Sequence, residues 1–402
     1  MFKHSAIAIL LLGACASDGT DGMNGANGAD GMNGANGSNG ADGTNGSDAT
    51  SQADPAVYTL ANQSAANQVS SFLRGENGNL TRDNEYATGG AGTSAGLGSQ
   101  GSLAWDKKTQ RFFSVNAGDN TISMMAIDQD GVLTKLATIA SGGTKPVSVA
   151  VHGDAVYVLN YGDVTAATVG GNITGFKVTG DTLTAIAGST QPLSGTNDVH
   201  PTDIVFTPDG GFLVVAERFG ATAAHIGKLE TFAVVSDVAQ PGNFQTSAGN
   251  EPFAIAFSPE GFMLVAEVGN EMANGSSVSS YSISGTGVLT PITSALPTHQ
   301  GAACWIVSAG GFAYIANTAT STITGVNVST TGELALHDAT GITVASGTTP
   351  IDLAVSPERG YLYSLAGGSH TINIYAINSD GSLTTQPALS GMPAGASGLV
   401  AR

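Results

Sequence analysis

From Ala53 to the C-terminus, short runs of Val, Ile, Leu, Phe, Tyr and Thr alternate with clusters of Gly, Asn, Asp and Pro. That pattern predicts strands joined by turns, and no stretch carries the spacing of a convincing amphipathic helix. Three signatures recur along it. The first is a strand announced by Pro, seen in Lys145-Pro146-Val147-Ser148-Val149-Ala150-Val151, His200-Pro201-Thr202-Asp203-Ile204-Val205-Phe206, Glu251-Pro252-Phe253-Ala254-Ile255-Ala256-Phe257 and Thr349-Pro350-Ile351-Asp352-Leu353-Ala354-Val355, with Gly301 to Val307 a variant lacking Pro. The second is a following strand whose polar end falls at Asn62, Asn116, Asn160, Glu217, Glu267 and Asn317, with Ala366 as the seventh. The third is a short outer strand opening at Leu80, Leu133, Leu183, Leu289, Leu334 and Leu383, with no copy near residue 240.

A repeat of about 50 residues with four short strands per unit predicts an all-β fold, a seven-bladed β-propeller. Two stacked β-sandwiches would share no such unit. The ends support the ring independently. Residues 56–62 enter as a second strand with no first strand before them, and residues 396–401 read as an orphan first strand. Pairing the two would complete blade one and leave no open sheet edge.

Only 11% of residues are charged, and Lys+Arg 13 against Asp+Glu 31 gives a net charge of -18. Such a surface repels phosphate backbones and anionic headgroups, which excludes nucleic acid as a partner. The first residues are different material. Lys3 and His4 precede an apolar run too short to span a bilayer, so residues 1–14 read as a signal peptide. Leu12-Gly13-Ala14-Cys15 resembles a bacterial lipobox, which implies lipid on Cys15, cleavage before it, and a membrane held through that anchor alone. Ala16 after the cysteine points to the outer membrane. Between residues 19 and 46, Gly recurs at every third position without any Pro. The spacing is collagen-like, but Pro supplies most of the preorganisation of that helix, so residues 15–52 read as a flexible tether with a reach of about 30 Å. Residues 53–402 are the propeller, expected to be monomeric. The second cysteine, Cys304, lies in an apolar run and reads as a small core residue, its context too unlike that of Cys15 for the two to pair.

Topology places the chemistry. The innermost strand leaves one face of a propeller and the second strand returns to it, so strand starts and strand ends gather at one mouth of the central channel. That upper face collects Lys145, His200, Glu251 and Thr349 from the starts, with Asn62, Asn116, Asn160, Glu217, Glu267 and Asn317 from the ends. The loops that follow add Arg218, His225 and Lys228. No histidine stands at metal-ligand spacing, and the set calls for no cofactor.

His200-Pro201-Thr202-Asp203, then Thr207-Pro208-Asp209-Gly210, then Ala216-Glu217-Arg218 resembles the lactonase family of seven-bladed propellers, which includes 6-phosphogluconolactonases and carboxymuconate-lactonizing enzymes. The resemblance runs over roughly residues 55–402. It implies a lactone-opening or lactone-closing site, with Glu217 at the family's glutamate. The family's arginine and histidines fall on Thr202, Asp203 and Val147. Lactone opening needs a base for water and positive charge near the developing oxyanion. Glu217 is the expected base, with Arg218, Lys145 and His200 as electrostatic or acid partners; Glu267, Asn160, Asn116, Asn317 and Glu251 are expected to bind ligand. Few cations are at hand for phosphate, so a neutral or carboxylated lactone, or its open acid, is the expected substrate. The alternative is a non-catalytic envelope module whose upper face binds an extracellular protein, peptide or glycan.

Overall fold

The computed structural model describes residues 55–163, 170–195, 199–219, 226–269 and 273–402. Seven antiparallel sheets, each of four strands with the outermost sometimes broken in two, follow one another along the chain. Blade one is closed by both ends: Ser397–Ala401 pairs with Ala56–Leu60, setting Tyr58 opposite Val400 and Thr59 opposite Leu399. The sevenfold ring and its seam are therefore those the repeats predict. The outer strand missing from blade four is present as two pieces, Val238–Ala239 and Asn243–Thr246, which pair with the same strand, Lys228–Val235. Pro241 and Gly242 lie between them. A residue without an N–H and one without a side chain interrupt the ladder there, and hide the strand from a reading of periodicity.

Tyrosines of the second strands tie neighbouring blades together at their outer turns. Tyr157, Tyr314 and Tyr363 are fully buried, and each hydroxyl donates to a backbone carbonyl of the next blade: Asp237, Gly381 and Gly78. Gly78 and Gly381 adopt left-handed backbone, and a Cβ on either would lie within 2.4 Å of a neighbouring aromatic ring. These outer turns are glycine because the ring of the preceding blade fills the space a side chain would need. Cys304 is fully buried, as its apolar run predicts. It is disulfide-bonded rather than solitary, and its partner lies outside the described residues.

Two features of the innermost strands position the mouth. In blades three to seven, a residue at positive φ, namely Lys145, His200, Glu251, Ala302 and Thr349, precedes a bulge just inside the strand. The bulge takes up Val147, Thr202, Phe253, Cys304 and Ile351. The carbonyl of each positive-φ residue accepts the N–H of the residue following the second strand: Tyr161, Arg218, Val268, Thr318 and Gly367. A bulge re-aims side chains, so each blade presents two of them at the rim by one repeated device.

The channel itself is filled. After the outer strand of blade one, the chain crosses the upper face, where Asn62 Nδ2 donates to Ala95 O at 2.6 Å, and then descends along the axis. Ser99 Oγ donates to Val147 O and Gln100 N to Thr202 O. Trp305 Nε1 donates to Ser99 O, Ile306 N donates to Gln100 Oε1, and Gln100 Nε2 donates to Ile255 O. Residues 96–102 thus form an axial plug bonded to blades three to six, and Ser102 Oγ reaches Ser397 of blade one.

Candidate functional site

At the upper rim of blades three to five, cations and aromatic rings alternate. Lys145 Nζ stands 4.4 Å from the centre of the Tyr161 ring. Tyr161 meets His200 edge-on at 5.4 Å, and the other side of His200 meets Phe219 at 4.7 Å. Arg218 lies over Phe219, 4.9 Å from its centre, and donates from Nε and Nη2 to Glu251 Oε2 at 3.1 and 2.9 Å. Local sequence explains the row. Lys145, His200 and Glu251 occupy the positive-φ position of consecutive blades, while Tyr161 and Arg218 occupy the partner position after the second strand. Blades six and seven carry Ala302 with Thr318 and Thr349 with Gly367 at the same places, so that side of the rim is small and neutral.

Electrostatics divides the row. Arg218 and Glu251 are both buried, and each supplies countercharge to the other. Lys145 makes no ion pair among the described residues, and burial alone lowers its pKa. It is the cation of the rim whose charge a ligand would meet.

Three of the four residues expected to carry chemistry, Lys145, His200 and Arg218, are therefore brought together. Glu217 is not with them. It is fully buried, accepts Ser194 N on Oε1 at 2.9 Å and Ser194 Oγ on Oε2, and lies against Glu230. Burial, and then the neighbouring Glu217 carboxyl, push Glu230 up to about 11, so Glu230 retains its proton at neutral pH. The residues expected to bind ligand from other strand ends are likewise buried caps. Asn116 Nδ2 donates to Thr121 and Ser123, Asn160 Nδ2 to Ser141 O and Asn172, and Asn317 Nδ2 to Thr322 and Thr324. Glu267 accepts from Ser247, Gly249, Ser277 and Ser279, which oppose the rise in pKa that its burial produces. At this position the side chain turns into the blade, where unsatisfied strand-end groups need partners. Glu251, expected only as a binding residue, supplies the acid of the rim. Lys228 pairs with Glu217 in strand register, its Nζ beside the outer Phe244 ring at 5.7 Å. His225 and Cys15 lie outside the described residues. Tyr161 and Phe219 escaped sequence reasoning, although each follows the polar end of a second strand, which is the signal that marks them.

The positions of the family's basic residues line the channel. Val147, Thr202 and Asp203 are buried on the innermost strands, with Thr202 Oγ1 donating to Phe253 O and Asp203 Oδ2 accepting Ile255 N. Burial pushes the Asp203 carboxyl up to about 7. Asp352, two residues after Pro350 as Asp203 is after Pro201, is raised well above the usual range, first by burial and further by Asp203. Among the described residues, no group of three or more His, Cys, Asp or Glu side chains is placed to hold a metal ion.

With this geometry in hand, the family model described as "Lactonase, 7-bladed beta-propeller" matches residues 79–395. The chain belongs to that lactonase family. Among solved structures, a putative 6-phosphogluconolactonase from Bacteroides uniformis is 20% identical with a TM-score of 0.66, covering 85% of this chain and 99% of its own. A protein from Lactobacillus plantarum is 20% identical with a TM-score of 0.67, covering 87% and 99%. The periplasmic gluconolactonase of Pseudomonas aeruginosa is 18% identical with a TM-score of 0.58, covering 85% and 98%. At such identities these neighbours establish the fold. No curated protein matches the chain.

Proposed function

We propose that this lactonase-family propeller opens, or in reverse closes, a small neutral or carboxylated lactone at its upper mouth. The observation that carries the reading is the row Lys145, Tyr161, His200, Phe219, Arg218 and Glu251, which brings cationic and imidazole groups together at one rim. His200, held edge-on between two rings, takes the proton of the attacking water. The new C–O bond forms at the acyl carbon, the ring C–O bond breaks, and the departing alkoxide takes up a proton to leave a hydroxy acid. Lys145 stabilises the negative charge that develops on the acyl oxygen. Glu217 has no part in this, since it is spent on Ser194 and Glu230. The row has one uncompensated cation, which suits a lactone better than a phosphorylated sugar acid.

Rates of δ-gluconolactone and muconolactone opening, followed by proton release, test the reading. His200→Asn is expected to lower kcat by at least a hundredfold while Glu217→Gln leaves it within a fewfold. Unchanged kcat in His200→Asn refutes it. A second reading, a non-catalytic envelope module binding a protein, peptide or glycan, is favoured by the burial of Glu217 and Glu267, which leaves the rim short of free acids.

Export and anchoring through lipid on Cys15, with residues 15–52 as the tether, form part of the same proposal and place the protein at the outer membrane. A thioether on Cys15 would leave no thiol to pair with Cys304, so the lipid anchor and the Cys304 disulfide exclude one another. Mass spectrometry of the detergent-extracted protein decides: a diacylglyceryl-bearing N-terminal cysteine supports the anchor, and an unlipidated chain removes it.

A further inference from the structure

The axial plug is anchored at both ends and unspent in the middle. At the rim, Ser94 N donates to Asn62 O and Ala95 O accepts from Asn62 Nδ2. Deeper, Ser99 and Gln100 are tied to four blades. Between these anchors, the main-chain N–H groups of Gly98 and Ser99 donate no hydrogen bond among the described residues. At Ser99 the imbalance is complete: its carbonyl accepts from Trp305, its hydroxyl donates to Val147 O, and only the amide is left. Ser99 is 1% exposed. A buried N–H without an acceptor is rare in a folded chain and costly to keep, because the lost hydrogen bond to water is not replaced.

Two further observations point to a ligand there. Gly98 has φ of 65° between residues of negative φ, and alternation of that kind turns successive amides toward one side, the arrangement that binds anions. Nothing lies within 4 Å of where a Cβ on Gly98 would stand, so the chain leaves open space at this point. The plug meets blade three at Val147, two residues inside Lys145, the rim cation with no carboxylate partner. Donors and open space therefore meet below the rim, on the plug, and Lys145 stands two residues up the strand to which the plug is bonded.

We propose that the Gly98 and Ser99 amides form an anion site for a carboxylate, or for the acyl oxygen that becomes one, with Lys145 as its countercharge. This rests on the reading above only in taking the upper mouth as the ligand's entrance. A lactone carbonyl seated on the two amides gains their hydrogen bonds as negative charge develops, and the same donors then hold the carboxylate of the opened acid.

The full-length chain, labelled with 15N-glycine and 15N-serine, is titrated with sodium gluconate at low ionic strength. Saturable downfield movement of the Gly98 and Ser99 amide protons is expected. Replacement of the Gly98–Ser99 amide by an ester removes one donor with little change of shape, and is expected to weaken gluconate at least tenfold. Lys145→Met is expected to weaken it severalfold. No saturable movement overturns the proposal, as does equal affinity in the ester-containing protein. Gluconate bound through these amides in a protein that opens no lactone supports this inference and refutes the catalytic one; turnover with equal gluconate affinity in the ester form does the reverse.

Discussion

Replacing Asp203 by Asn should change how stability depends on pH more than it changes stability itself. The carboxyl is buried on the innermost strand of blade four, accepts Ile255 N at 2.9 Å, and is faced by Ser148 Oγ. The Asp203 charge in turn raises Asp352, a carboxyl that burial already holds well above the usual range. The folded-state pKa of Asp203, about 7 against an ordinary value of 3.8, means that the native chain holds a proton the unfolded chain releases. The stabilising contribution is therefore complete below pH 3.8 and is lost as pH rises toward about 7. At about 1.4 kcal/mol per unit, a shift of roughly three units is worth about 4 kcal/mol. Asn keeps the acceptor for Ile255 and cannot ionise. Urea unfolding of the two proteins at several pH values between 4 and 8 should show Asp203→Asn no more stable at pH 4, then progressively more stable, with a gap of up to about 4 kcal/mol at pH 8. Parallel stability curves would refute the argument, since they would place Asp203 in contact with water or with a cation.

Glu251→Ala removes the buried carboxylate to which Arg218 donates twice and should cost about 3–5 kcal/mol, whereas Arg218→Met combined with Glu251→Leu should recover most of that; denaturant midpoints of the three proteins check it. Glu230→Gln replaces a carboxyl that is already protonated at neutral pH, so it should be neutral at pH 4.5 and stabilising at pH 8, measured by thermal unfolding at both. Gly101→Ala would bring a Cβ to 2.6 Å from Ser148 Oγ at a φ of 76°, and should lower stability by about 1–3 kcal/mol while increasing hydrogen exchange along the plug. Deleting residues 397–402 removes the innermost strand of blade one and should abolish cooperative unfolding as followed by Trp fluorescence.

The sequence by itself determined the ring. Pro-led strands, polar strand ends and the split blade are local or periodic features, and hydrophobic alternation together with turn chemistry dictates them wherever the chain goes. It also placed Lys145, His200 and Arg218 at the upper rim, because a strand start or end fixes the face on which a residue emerges. What it left open is where each side chain turns once there. Glu217 and Glu251 are both acids at blade ends, yet one turns into the blade toward Ser194 and Glu230 while the other meets Arg218. Glu217 ends a second strand, whereas Glu251 holds the positive-φ position before a bulged innermost strand, and neither the bulge nor the positive φ has a mark in composition. The plug was equally hidden. Residues 96–102 read as a glycine-rich connection, and only closure of the ring surrounds them with Trp305, Val147 and Thr202, partners drawn from blades far away in sequence. Local chemistry chose the elements; contacts between distant blades decided which polar groups were consumed and which remained for a ligand.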